Sequence, residues 1–102
     1  MLIALLTAAA LSAASGPPVM RVEGVPLTFA RPGDVEVFVD RVAAESRAFC
    51  AVHHARVTPE QAGDSRPCAR VMGDRAARAL SPDARARFIQ AGGVRALHRR
   101  LR

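Results

Sequence analysis

The sequence contains no Lys, Trp or Tyr, so Phe, present four times, is its only large aromatic residue. Without Trp and Tyr the chain lacks the side chains that stack best on single-stranded bases, and we do not expect nucleic acid as its partner. The absence of Lys makes all fifteen basic residues Arg. Uniform Arg beside abundant Ala is typical of a GC-rich coding sequence, so the Arg content alone does not indicate phosphate binding.

Catalytic and cofactor motifs are absent as well. The sequence has no CxxC or HxxxH pair, no CxxCH haem motif and no Gly-rich phosphate loop. Ser46, His53 and Asp40 are the residue types of a hydrolytic triad. However, Ser46 and His53 lie two turns apart on one predicted helix, which separates them by about 10 Å, beyond hydrogen-bond reach. We therefore assign no catalytic residue and no cofactor.

The chain is short, at 102 residues, and has room for one domain. Half of its residues are apolar, but many of these are Ala, which buries little area. A core built from four Phe and scattered Val, Leu, Ile and Met is small. We therefore expect a covalent link or oligomerisation to supplement it.

Residues 1–14 are an uncharged apolar run that is too short to span a bilayer. The run is typical of a signal peptide, and Ser12 and Ala14 supply the small residues that precede cleavage, which we expect after Ala14. The usual positive residues at its start are missing, which leaves an uncleaved anchor as the alternative. No Cys follows the run, so a lipid anchor is not indicated. The sequence predicts export to the periplasm or the extracellular space.

Residues 15–33 are expected to form a linker and a short extended segment. Alternation of apolar with smaller or polar residues over residues 19–29 predicts a short strand, which Pro26 confines to a sheet edge. Residues 35–53 then form the best amphipathic helix of the chain, with Asp34 as its cap. Its buried face is expected to carry Val35, Phe38, Val39, Val42, Ser46, Phe49, Cys50 and His53.

Three further segments begin with residues that favour the start of a helix. Thr58-Pro59-Glu60-Gln61 has the form of a capping box but stops after about a turn, so we interpret it as a connector. Asp64 or Ser65 can cap a second helix, and Ser81 can cap a third, which Gly92-Gly93 ends. The inner face of the second helix is expected to carry Cys68, Val71, Met72, Arg75 and Ala79.

Cys50 and Cys68 are the only cysteines, and in an exported chain a disulfide is their simplest interpretation. Cys50 ends the first predicted helix and Cys68 opens the second, so the bond would stabilise an antiparallel hairpin by about 3 kcal/mol. The alternative is a zinc or copper site on Cys50, His53 and Cys68. The predicted fold is mainly α: a short N-terminal β segment, then a disulfide-tied helical hairpin and one or two further short helices, with the helical domain over residues 34–93.

Residues 94–102 form an Arg-rich C-terminal tail. They contain four Arg and no acid, so they contribute +4 of the net charge of +6. One interpretation is a basic amphipathic helix that binds an anionic surface; the other is a solvated last helix whose apolar residues complete the core. The apolar residues are Val94, Leu97 and Leu101, and the basic ones are Arg95, Arg99, Arg100 and Arg102.

Three stretches, FVDRVAAESRAFC at residues 38–50, CARVM at 68–72 and RA at 75–76, resemble the UrcA family. These are small exported bacterial proteins, mostly from proteobacteria, of unknown function. The resemblance covers residues 27–79 and implies a signal peptide, a short strand, a helix that ends in Cys and a second Cys that opens an Ala-rich helix. The family's strand usually carries Asp-Leu-Asp-Leu, whereas Pro-Leu-Thr-Phe at residues 26–29 lacks both acids.

We therefore expect a small exported, noncatalytic, UrcA-like envelope protein that acts through binding or stabilisation. Its partner would be an anionic envelope component or another protein, and self-association is compatible with the small core. The first alternative is a cationic membrane or polyanion binder that uses residues 94–102. The second is a Cys/His metal-binding protein.

Overall fold

The computed structural model describes residues 16–25 and 28–102, and within these ranges the chain is mainly helical, as predicted. Its four α-helices there are α1, Asp34–Val57; α2, Arg66–Arg78; α3, Pro82–Gln90; and α4, Gly93–Arg100. A short 3₁₀ helix, Pro59–Gln61, forms the predicted connector between α1 and α2. Over the described ranges, no helix is both long enough and apolar enough to cross a membrane.

Two predictions fall on residues outside the described ranges. The signal peptide at residues 1–14 lies wholly outside them, and so do Pro26 and Leu27 of the predicted strand. The neighbouring residues 19–25 and 28–29 are not in a strand. The β segment therefore stays a prediction.

The longest helix, α1, begins after Gly33, whose φ of 91° lies in the left-handed region that glycine adopts readily. Asp34, the predicted cap, is instead the first helical residue, and its carboxylate accepts the backbone N–H of Arg31 at 2.9 Å. The helix continues about one turn beyond its predicted end, to Val57. Its buried residues largely match the predicted face: Phe38, Val39, Val42, Ala43, Ser46 and Cys50.

The start of α2 is organised by Asp64. Its Oδ1 accepts the backbone N–H of Arg66 at 3.0 Å, and its carboxylate also binds the Arg66 guanidinium. Both bonds lower the pKa of the Asp64 carboxyl, to about 2, and the bond to the Arg66 side chain has the larger effect. Of the two predicted caps, Asp64 thus supplies the hydrogen bond, while the side chain of Ser65 makes none. The buried residues of α2 are Cys68, Ala69, Met72 and Gly73.

Three of the four Phe rings meet in the core. Phe88 of α3 is fully buried, and its ring centroid lies 5.0 Å from that of Phe38 in α1. Phe29 packs against both rings, with centroids 5.4 Å from Phe38 and 5.3 Å from Phe88. Edge-on and tilted contacts at these distances are favourable. They offset the cost, about 1–2 kcal/mol, of the left-handed backbone that Phe29 adopts at a φ of 54°.

The C-terminal residues pack into the same core. Gly92, with a φ of 77°, turns the chain so that α4 begins at once, where a separate tail was predicted. Leu97 and Leu101 are 1% and 2% exposed. Both lie against Gly73 of α2, where an added Cβ would be only 2.5 Å from Cδ1 of Leu101. Residues 94–102 are therefore part of the helical domain, because their apolar residues complete its core.

We expect Gly93→Ala to destabilise the domain. A Cβ at residue 93 would overlap the ring of Phe88, which is fully buried. Overpacking of this kind costs about 1–3 kcal/mol, more than the gain of up to about 1 kcal/mol in helix propensity. The midpoint of urea unfolding should fall. Gly63→Ala is the control, since a Cβ there meets nothing within 4 Å; equal midpoints for the two variants would contradict this packing.

Candidate functional site

The structure joins Cys50 and Cys68 in a disulfide, with Cα atoms 5.8 Å apart, and the predicted pairing is confirmed. Both residues are fully buried. Cys50 lies in the last third of α1 and Cys68 in the first turn of α2. Phe38, near the start of α1, lines the same groove as Ala79, which follows α2, so the two helices run antiparallel. The bond therefore closes the loop end of the hairpin.

This pairing does not agree with the alternative metal site on Cys50, His53 and Cys68. A metal ion binds Cys as the thiolate, and in the disulfide neither sulfur is a thiolate. The ring of His53 packs instead against Phe49, with centroids 4.7 Å apart. Across residues 16–25 and 28–102, no three His, Cys, Asp or Glu side chains are grouped as a metal would require.

The residues considered for a triad each have another partner. The buried hydroxyl of Ser46 donates to Sδ of Met20 at 3.6 Å. Asp40 Oδ1 pairs with Nε of Arg100 at 3.2 Å, and His53 packs against Phe49. These contacts give Ser46 and Asp40 structural roles, in attaching the N-terminal segment and α4 to α1.

The four Arg of residues 94–102 divide into two groups. Arg100 is held by Asp40, and its carbonyl accepts a hydrogen bond from the guanidinium of Arg47. Arg95 and Arg99 are exposed and lie at i and i+4 on one side of α4, and Arg102, which is also exposed, follows after the helix ends at Arg100. We call these three the arginine face. In the part of the chain that the structure describes, no carboxylate lies within ion-pair distance of them.

The arginine face borders a groove of about 480 Å³, which we call the basic groove. Arg95 and Arg99 line one side and Arg31, in the loop before α1, lines another, while Glu36 is the one acidic residue of the lining. The residues outside the described ranges contain no Asp or Glu. The groove therefore carries excess positive charge, and its guanidinium groups can donate paired hydrogen bonds to an anion.

A second groove, of about 590 Å³, has the opposite character. This apolar groove lies between residues 18–25 and the helices α1 and α2, and Arg75 of α2 is its one charged residue. Arg75 is exposed, donates a hydrogen bond to Sδ of Met72 at 3.8 Å, and has no carboxylate within ion-pair distance among the described residues. The main apolar lining comes from Met20, Val22, Phe38, Val42, Met72 and Leu80.

The N-terminal wall of the apolar groove is attached by side-chain contacts. Met20 accepts the hydroxyl of Ser46, and the carbonyl of Glu23 accepts Nε and Nη2 of Arg41 at 3.3 and 3.0 Å. Within the described ranges, no backbone-to-backbone hydrogen bond joins residues 16–25 to a helix. This wall can therefore move outward without breaking any hydrogen bond inside a helix.

The sequence patterns missed the roles of Arg31, Arg75 and Met20. Arg75 was predicted on the inner face of α2, whereas the structure leaves it exposed beside the apolar groove. Arg31 and Met20 carried no signal, because each lies in an irregular segment whose path no periodicity describes.

Residues 16–25 and 28–102 define a small helical domain, tied by a disulfide, that presents a basic groove and an apolar groove. Comparisons of the chain with family models, curated proteins and solved structures found no match. Its function is therefore inferred from its own residues and their geometry.

Replacing both cysteines, Cys50→Ala with Cys68→Ala, should lower the free energy of unfolding by about 3 kcal/mol, because the bond constrains the unfolded chain. The loop it closes spans a sequence separation of 18 residues. Urea unfolding with and without a reductant measures this. Reductant should move the wild-type midpoint toward that of the double variant and leave the variant unchanged. A wild-type midpoint that stays constant while the bond is shown to open would contradict the stabilising role.

Proposed function

We propose that this chain is an exported, noncatalytic protein of the bacterial envelope, similar to the UrcA family, that acts by binding. The observation that carries the proposal is the buried disulfide, because disulfides persist in oxidising compartments and are rare in the cytosol. Residues 1–14 supply an apolar leader suited to export. Cys50 and Cys68 are also the residues on which the family resemblance is closest.

A binding role is supported by the shape of the surface. The two grooves, of about 480 and 590 Å³, have the size of ordinary ligand sites. One is rich in guanidinium groups and the other is apolar. The disulfide and the aromatic contacts hold α1, α2 and α3 together, and these helices or the segments that adjoin them line both grooves. A rigid scaffold of this kind reduces the ordering cost of binding.

Expressed from Met1 in a bacterium with a periplasm, the protein should be recovered from the periplasmic fraction with Ser15 as its first residue. Its two cysteines should resist alkylation until a reductant is added. An intact-mass measurement determines both, because cleavage and alkylation of the thiols each change the mass of the chain.

A variant that lacks residues 2–14 is the matched control and should remain cytoplasmic with alkylatable thiols. Recovery of the full chain in the cytoplasm with both thiols free would overturn the export proposal.

A second candidate function is binding of an anionic membrane or polyanion through the arginine face. The specific observation in its favour is that the C-terminal arginines differ in their contacts. Arg100 is engaged by Asp40, whereas Arg95, Arg99 and Arg102 are exposed without a carboxylate within ion-pair distance in the described ranges. Each Arg near an anionic lipid surface contributes about 1 kcal/mol, and salt weakens the attraction.

Arg95→Gln with Arg99→Gln should therefore weaken binding to anionic vesicles by roughly tenfold or more at low salt. Vesicle sedimentation at two salt concentrations measures this, with neutral vesicles as the reference. Arg78→Gln with Arg85→Gln removes the same charge from exposed positions outside the basic groove and should have a much smaller effect. Equal, negligible binding of the wild type to both kinds of vesicle would exclude this function.

A further inference from the structure

The apolar groove combines a long apolar lining with a single cation. Its floor is part of the core, since Phe38, Val42 and Met72 are all buried, so it presents a fixed apolar surface at its base. Its volume, about 590 Å³, lies within the range of small-molecule sites. An alkyl chain placed there would bind more tightly with each methylene that it buries.

The positive charge of Arg75, at the apolar groove, indicates which polar group a bound ligand would carry. Arg75 is exposed and donates to the weak acceptor Sδ of Met72. In the described part of the chain it has no carboxylate partner. Ser81, the hydroxyl residue of the lining, already accepts the N–H of Ala84. A guanidinium in this position matches a carboxylate, which it can bind through two parallel hydrogen bonds.

We propose that the apolar groove is a binding site for a free fatty acid. The alkyl chain lies along Met20, Val22 and Met72, and the carboxylate pairs with Arg75. Because no backbone-to-backbone hydrogen bond joins residues 18–25 to a helix, the chain can enter by displacing this wall outward. The site is separate from the arginine face and does not depend on the export proposal.

Titration calorimetry of the full-length protein with dodecanoate, dodecanol and dodecyltrimethylammonium, each below its micelle-forming concentration, tests this site. Dodecanoate should bind with one equivalent per chain, dodecanol more weakly, and the trimethylammonium compound weakest of all. Arg75→Gln should weaken dodecanoate binding about tenfold and leave dodecanol binding unchanged, because only the charge-assisted hydrogen bonds are lost. Arg78→Gln, on an exposed position of the same helix that does not line the groove, should bind like the wild type.

A second pair of variants tests the place of the alkyl chain. Ala79 is exposed at the edge of the groove, so Ala79→Phe should obstruct it and weaken both dodecanoate and dodecanol, whereas Ala86→Phe, also exposed but away from the groove, should not. Unfolding midpoints confirm that each variant is folded.

No dodecanoate binding, equal binding of the cationic amphiphile, or equal effects of Arg75→Gln and Arg78→Gln would overturn the proposal. A protein that sediments as a dimer, loses the dimer on Ala79→Phe and takes up no fatty acid would also overturn it, and would assign the groove to a second copy of the chain.

Discussion

One covalent bond, between Cys50 and Cys68, holds the last third of α1 against the start of α2. The other contacts depend on this link because many of the apolar residues are Ala, which bury little area when two helices meet. Packing then attaches the rest of the chain to α1. Phe38, near the start of α1, meets Phe88 and Phe29, so an aromatic cluster joins α3 and the loop before α1 to this helix.

The last helix, α4, packs against both helices of this hairpin and makes a polar contact with each. Asp40 of α1 pairs with Arg100, and Asp74 of α2 lies 2.9 Å from Nε2 of His98. Gly73 allows Leu97 and Leu101 to approach α2 closely. Exposed polar contacts contribute little energy by themselves, so the burial of the two leucines is the main attachment of α4 and the two polar contacts orient it.

The two grooves follow from this arrangement. The apolar groove forms where the N-terminal segment covers the hairpin, and the basic groove forms where α4 passes the loop before α1. Arginine has a different role in each. In the basic groove several guanidinium groups are gathered, which suits a multiply charged or extended anion, whereas Arg75 is a lone cation beside apolar side chains and suits a single anionic group. The Arg residues are alike in the composition, but the fold therefore places them in distinct environments.

Much of the local structure could be predicted from the sequence. The apolar period of α1, the start signals at Asp64 and Ser81 and the turn at Gly92 depend on neighbours within a turn or two of the chain. The cysteine pairing was also predictable, because two cysteines allow one intramolecular bond. The C-terminal pattern was ambiguous, since a helix with apolar residues on one side and Arg on the other can lie on a membrane or on a core.

The sequence by itself thus determined the helical segments and the disulfide, which depend on local spacing and cysteine count. Only the tertiary structure decided that Leu97 and Leu101 are buried, because their burial requires the space at Gly73, a residue on another helix. It also decided that Arg31 lies beside the arginine face and that Arg75 borders an apolar groove. These are distances between residues far apart in the chain, which local periodicity does not encode.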